Sequence, residues 1–472
     1  MSEVTERRAL LLAYGFGIIV ALTLVHFLLG LPVQFSDSYG NMLKLSAPWP
    51  ELLAGEFTQH SYLRPFLWAE LKLVYDASAG NYFAWFRGLH ALQVVVLVLL
   101  YLMLVRPRTL RDAALVPFGL AVLVSLHTFG GTIREAFPIN TFMTLMILCF
   151  GGAILSFSSY RWWNDVLVVL LFVIASLTVE TGLLLAVIVT GAALMGCRGV
   201  SRIGVAAVLT LLAGYFVLRF GVLDVGSPGL IERSAGFGTQ ILDPAELVER
   251  FGSNPYGFYA YNVFTSAISV LLSEPTGGAF RLVPALARLD LQPSMIVNMI
   301  ASGSVTALLG WFAWRRRSAW LSWRLDRDDR LVLLFLMVLG ANATFSYAYQ
   351  KDTTMSPAGA FLAVAAFAAA RSLFASLSAQ PSPRLAVVAV VCCAVVGTAW
   401  ASRVAGTYLG LRDVAYVDRT EWAYAEGELD KDGTMRDPHA ARLFVQLRDD
   451  ALLTHPAPSP LRIPLAGVVD LE

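Results

Sequence analysis

The feature that most constrains this chain is a succession of apolar runs, separated by short polar turns. At about 17–22 residues each, the runs match the ~30 Å hydrocarbon core of a bilayer, which takes about 20 helical residues to cross. A soluble fold would need a polar surface that is missing here. Of the 472 residues 57% are hydrophobic and 15% charged, against roughly 25% charged in soluble domains. With 35 basic and 34 acidic residues the net charge is +1, so there is no broad basic face for a nucleic acid.

The runs predict an all-α integral membrane protein with eleven spanning helices, at 9–31, 86–105, 112–129, 139–158, 162–179, 181–196, 202–220, 293–314, 331–349, 357–376 and 385–403. Arginine placement supports the count. Arg7 and Arg8 precede the first helix, and Arg106, Arg108 and Arg111 join the second and third. Arg161, Arg198 and Arg202 mark two further turns, and Arg315, Arg316, Arg317, Arg324, Arg327 and Arg330 a third. Arg371 and Arg384 flank the last. With eleven spans all of them share one side, which the positive-inside bias makes cytoplasmic.

The domain organisation is then a polytopic membrane domain over 1–403, with a first outer loop at 32–85 and a long outer loop at 221–292. A polar non-cytoplasmic C-terminal tail follows over 404–472. Trp49, Trp68, Tyr75, Tyr82 and Trp85 in the first loop suit interfacial helices against membrane lipids. The stretch 256–273 is apolar enough to dip into the bilayer, but a full crossing there would place the later arginines outside. The stretch 321–330 reads as a solvated cytoplasmic loop. The start, MSEVTERR before an apolar run, lacks a small-residue cleavage site and reads as a retained first helix. Cys149, Cys197, Cys392 and Cys393 lie in or beside apolar segments and read as small hydrophobes, not as a disulfide framework. A high content of Ala, Arg and Leu points to a GC-rich bacterium and hence to its inner membrane.

Charges near a membrane are costly and ask for a reason. Asp37, the first acid after the first helix, is either a general base or a cap for the helix that follows, a role Ser36 fills equally. Glu135, in the turn 130–138, is a second acid; its neighbour Arg134 offers a structural ion pair. Glu180, at the end of the fifth helix, needs a partner or water, and serves either a site or a helix-hairpin turn. Arg64, held extended by Pro65, can grip a phosphate bidentately or rest on lipid headgroups. Lys351, beside Thr353, Thr354 and a helix start at Pro357, forms an anion site or snorkels. His60 and His90 are further site members, whereas His26 and His127 read as core groups. No metal-ligand spacing, phosphate loop, dinucleotide fingerprint or nucleophile elbow occurs. No cofactor is therefore predicted, and a divalent ion is left open.

Together these stretches resemble the GT-C class of membrane glycosyltransferases, especially protein O-mannosyltransferases with tetratricopeptide repeats and their bacterial relatives. The resemblance rests on Asp37, then Tyr62-Leu63-Arg64-Pro65-Phe66, Asn81-Tyr82-Phe83 and Leu89-His90-Ala91-Leu92. Glu135-Ala136, Val179-Glu180-Thr181-Gly182 and, loosely, Lys351 with Pro357 complete it. It covers roughly 1–200, with an echo at 345–365. Asp37-Ser38 replaces the two adjacent acids of many members, Val179 replaces a usual Lys, and no tetratricopeptide repeats follow. The resemblance implies a polyprenyl-phosphate sugar as donor and an unidentified acceptor. Asp37 would be base, with Glu135 sharing that role or orienting; Arg64 and Lys351 would hold the donor phosphate, and Glu180, Arg134, His60 and Tyr62 would support. A lipid or glycan transporter, a membrane scaffold without chemistry, and a lipid-linked glycan polymerase or ligase are the competing readings. The lack of internal duplication and of mid-membrane charge favours the transferase over the transporter.

Overall fold

The computed structural model describes residues 3–31, 33, 35–58, 63–134, 138–223, 256–272, 285–347, 352–379 and 383–453, with isolated positions between 245 and 252. Every regular element among them is a helix. The first half comprises α1 (Glu3–Leu29), α2 (Ser36–Leu45), α3 (Trp49–Thr58), α4 (Pro65–Ala77), α5 (Tyr82–Val105), α6 (Leu110–Ser125), α7 (His127–Arg134), α8 (Thr141–Phe157) and α9 (Trp162–Ser176). A 3-10 turn (Glu180–Leu183) leads into α10 (Leu184–Leu194), and α11 (Arg202–Phe216) ends in a π-helical turn (Val217–Val222). Then come α12 (Tyr256–Leu271), α13 (Pro293–Leu321), α14 (Arg327–Phe345), α15 (Ser356–Ser378), α16 (Pro383–Asp432) and α17 (Pro438–Leu453).

Each of the eleven expected stretches falls on a helix. Among the described residues six helices are long and apolar enough to cross a membrane: α1, α5, α11 with its π turn, α13, α15 and the first half of α16. The apolar helices α8, α9 and α10 are shorter. Helix α15 is the axis of the bundle. From Ser356 to Ala370 every side chain is buried, and most are Ala or Gly, which lets α5, α6 and α14 approach closely. At the periphery α1 turns Ala13 and Ala21 inward and leaves Leu11, Ile19 and Leu22 bare, as a lipid-facing helix does. Helix α12 packs on α14, and its Asn262 amide donates to the Tyr347 carbonyl just beyond that helix (2.8 Å).

One sequence expectation is corrected in part. Residues 321–324 are exposed, whereas 325–330 are knit into the bundle. Asp326 and Asp329 form a capping box at the start of α14, and the fully buried Asp329 accepts from Arg316 and from the Trp320 indole. Arg371 of α15 pairs with Asp328, and Arg327 donates to the Leu104 carbonyl of α5 (2.7 Å). Cap chemistry and two arginines from neighbouring helices, absent from a local reading of the charges, account for the difference. Within the expected C-terminal tail, residues 404–453 are helical and packed. Helix α16 runs 50 residues, about 75 Å at 1.5 Å per residue, well beyond one bilayer crossing. Helix α17 then returns onto α2. Trp422 donates to the Val33 carbonyl (2.6 Å), Tyr39 donates to the Ala440 carbonyl (2.8 Å), and Met42, Leu71, Phe86, Phe444 and Leu447 close a second core.

Candidate anion site at one end of the bundle

The residues 63–66 are anchored before they carry chemistry. Leu63 is fully buried in an apolar cluster with Phe172, Leu185 and Tyr215 from α9, α10 and α11. The Phe66 N–H donates to the Leu177 carbonyl (3.0 Å), and the Arg64 N–H donates to the carboxylate of Glu56 (3.2 Å). Glu56 is itself buried and paired with Lys44 (2.9 Å), whose ammonium lies 3.8 Å from the Trp68 ring centre. Pro65 occupies the first turn of α4, where no N–H is needed, and fixes where that helix begins.

The hairpin after α9 brings the partner. A β carbon on Gly182 would collide with the Ala175 carbonyl, so the 3-10 turn can fold back on α9 only with glycine there. This turn presents Glu180. Arg64 donates to Glu180 Oε2 from Nη2 (2.7 Å) and Nε (3.2 Å). Arg219, in the π turn, lies 3.3 Å from Glu180 Oε1 and donates to the Tyr215 hydroxyl (2.8 Å). The contact with Oε1 is an ion pair without hydrogen-bond geometry, and that oxygen and Arg219 Nε have no hydrogen-bond partner. The side chains of Arg64 and Glu180 are each 27% exposed, that of Arg219 only 5%.

Two guanidinium groups thus share one carboxylate at a place that water can reach. A pair of guanidinium groups has the chemistry to grip an anion, above all a phosphate that matches the guanidinium fork. Around it Phe216, Val217, Phe220 and Val222 present a bare apolar wall. The π turn is a local widening of the helix often found where function needs a side chain re-aimed.

The sequence singled out Arg64 and Glu180, and the structure brings these two together. Arg219, Tyr215 and Glu56 escaped the sequence reading. An arginine 39 residues beyond Glu180 gives no local signal, although a cation at the end of an apolar helix is a cue. Asp37 occupies the second position of α2, whose N-cap is Phe35, a residue unable to cap. Arg134 ends α7. The side chains of Asp37 and Arg134, and all of His60, Tyr62, Glu135 and Lys351, lie outside the described residues. His90 is buried in α5, away from the Arg64 cluster. Among the described residues no group of three metal-ligating side chains converges. No model of a known protein family, no curated protein and no solved structure matches the chain.

Proposed function

We propose that the protein is a GT-C-type glycosyltransferase that crosses the membrane eleven times. It moves a sugar from a polyprenyl-phosphate donor to an acceptor on the non-cytoplasmic face of a bacterial inner membrane. The observation that carries this reading is the pairing of Arg64 and Arg219 on Glu180 beside an exposed apolar wall. A lipid-phosphate donor has that dual character: a chain that stays in the bilayer and an anionic head that reaches water.

In the reaction an acceptor oxygen bonds to the anomeric carbon, and the carbon–oxygen bond to phosphate breaks with its electron pair leaving on the phosphate. Negative charge grows there, and the two guanidinium groups meet it, Arg64 by turning from Glu180 and Arg219 from below. Lys351 is the further cation the sequence supplies for this task. Asp37 and Glu135 are its acids for deprotonating or orienting the acceptor. The order of motifs over 1–200 supports the family, and the placement of the arginine clusters supports the sidedness.

The test uses purified full-length protein and a panel of radiolabelled polyprenyl-phosphate sugars, with released polyprenyl phosphate as readout. Arg64→Ala and Arg219→Ala are each expected to lower turnover by roughly 10²–10³-fold. Folded variants with full turnover would remove the anion-site assignment. Folded parent protein that neither binds nor cleaves any donor would remove the transferase reading altogether.

A further inference from the structure

A second polar constellation centres on Glu70 of α4. Glu70 is half-buried there, and one of its oxygens, Oε1, takes two amide N–H groups, from Asn140 (3.1 Å) and Gln93 (3.4 Å). Gln93 also donates to the Thr144 hydroxyl (3.0 Å). Asn140 stands at the N-cap of α8, yet its side chain makes no cap hydrogen bond. An asparagine there ordinarily stabilises the helix by capping; this one is turned to the carboxylate instead. The cost does not end there. Gln93 Oε1 and Asn140 Oδ1 are buried without a hydrogen-bond partner, and the buried His90 ring lies against the Pro138 backbone. All three residues line one narrow cleft with Thr132 and Met143. Each is at least nine-tenths buried. Two carbonyl oxygens left open together are a pair of acceptors waiting for O–H donors.

We propose that Glu70, Asn140, Gln93 and His90 form the acceptor subsite, that it takes a neutral hydroxyl-bearing acceptor, and that Glu70 receives the hydroxyl proton. This rests on the transferase reading. The proton passes to the Glu70 carboxylate as the acceptor oxygen bonds to the anomeric carbon and the phosphate leaves with its electron pair towards Arg64 and Arg219. Arg64 immediately precedes α4 and Glu70 lies on its second turn; six residues of helix rise about 9 Å, the scale of a sugar ring between phosphate and base. Entry of the acceptor requires the cleft to widen, and Met143, unbranched with three rotatable bonds, is the wall best able to give way.

The surroundings suit a base. Arg87 of α5 is engaged with the Leu31 carbonyl and the Phe83 ring. Lys72, on the same helix as Glu70, pairs with Asp76. Asn140, Gln93, His90 and Thr144 are the polar groups that α5 and α8 bring to this region. Burial holds the Glu70 carboxyl above its ordinary range, and the Asn140 hydrogen bond pulls it part of the way back. A base of raised proton affinity is the better general base near neutral pH.

The experiment compares parent, Glu70→Gln, Glu70→Asp and Asn140→Leu in the donor-cleavage assay, with glycerol as the hydroxyl acceptor, across pH; donor binding is measured separately. Glu70→Gln is expected to lose roughly 10²–10⁴-fold in rate while still binding donor. Glu70→Asp should recover part of it. In Asn140→Leu the ionised carboxylate loses a donor, so the acid limb of the rate profile should move to higher pH, which a purely structural role would not cause. Full turnover in folded Glu70→Gln overturns the subsite and returns the base to Asp37, with the transferase reading intact. An acid limb unmoved in Asn140→Leu overturns the role of the amide. A parent that cleaves no donor removes both readings together.

Discussion

At the scale of single residues, the two half-buried carboxylates behave in opposite ways. Glu180 is held by two arginines, so neutralising it leaves Arg219, 5% exposed, next to a group that cannot pair with it. A fully buried pair broken in this way costs about 3–5 kcal/mol. With Glu180 and Arg64 each 27% exposed, Glu180→Gln is expected to cost about 2 kcal/mol. Denaturant or thermal unfolding of the purified protein measures it, and Arg219→Met in the same background should recover part of the loss. Glu70 is different, because its folded state prefers the proton. Between the ordinary carboxyl pKa and the raised one, the native state binds more protons than the unfolded state, so stability falls as pH rises. Above that window Glu70→Gln should therefore raise the melting temperature, while parent and variant converge in acid. A variant less stable than the parent at neutral pH would show that the ionised carboxylate is favourable where it lies. Gain of stability with loss of turnover is the usual mark of a site kept for function.

At the scale of elements, short local signals and the helices that receive them decide the outcome. Gly182 has no freedom to change, because a β carbon there meets the backbone of α9. Gly182→Ala is expected to cost about 1–3 kcal/mol by overpacking. It should weaken donor binding too, since the turn carries Glu180; unchanged unfolding and binding would contradict the close approach. The charges at 326–329 were legible as charges, but their use was not. Asp326 and Asp329 cap α14, and Arg316 and Trp320 bind Asp329 from α13. Asp329→Ala should accordingly cost about 3–5 kcal/mol, measurable as a drop in melting temperature in detergent; a drop no larger than that of an exposed control such as Glu51→Ala would reject the buried-pair account. Helix α17 shows the reverse failure of reading. Leu443, Phe444, Leu447 and Ala451 recur at helical spacing and were there to be found. Polar residues around them, and the flanking Pro and Gly, hid the stripe.

At the scale of the whole molecule, contacts sort the polar groups into two ends. One end gathers Arg316, Arg327 and Arg371 with Asp326, Asp328 and Asp329. The other gathers α2–α4, the Glu180 turn, the π turn of α11 and the returning α17. The long α16 joins them, and its C-terminal half with α17 covers α2 through Trp422 and Phe444. Truncation before Pro438 should expose Tyr39, Met42 and Leu71. Hydrogen exchange is then expected to rise across α2 and α4 while α15, at the centre of the bundle, stays protected. Equal protection of α2 with and without α17 would mean that the second core does not depend on it.

The sequence by itself determined that the chain is an all-α membrane protein, where its apolar helices run, and that Arg64 and Glu180 are charges in need of partners. Those are consequences of hydropathy and of the cost of burying charge, both local properties. Tertiary structure alone decided that Arg64 and Glu180 are each other's partners, that Arg219 joins them, that Glu70 faces two amides from distant helices, and that residues 404–453 build a second core. Each depends on which helix faces meet, and pairings between residues 23 to more than 400 positions apart leave no mark in the local pattern from which helices are read.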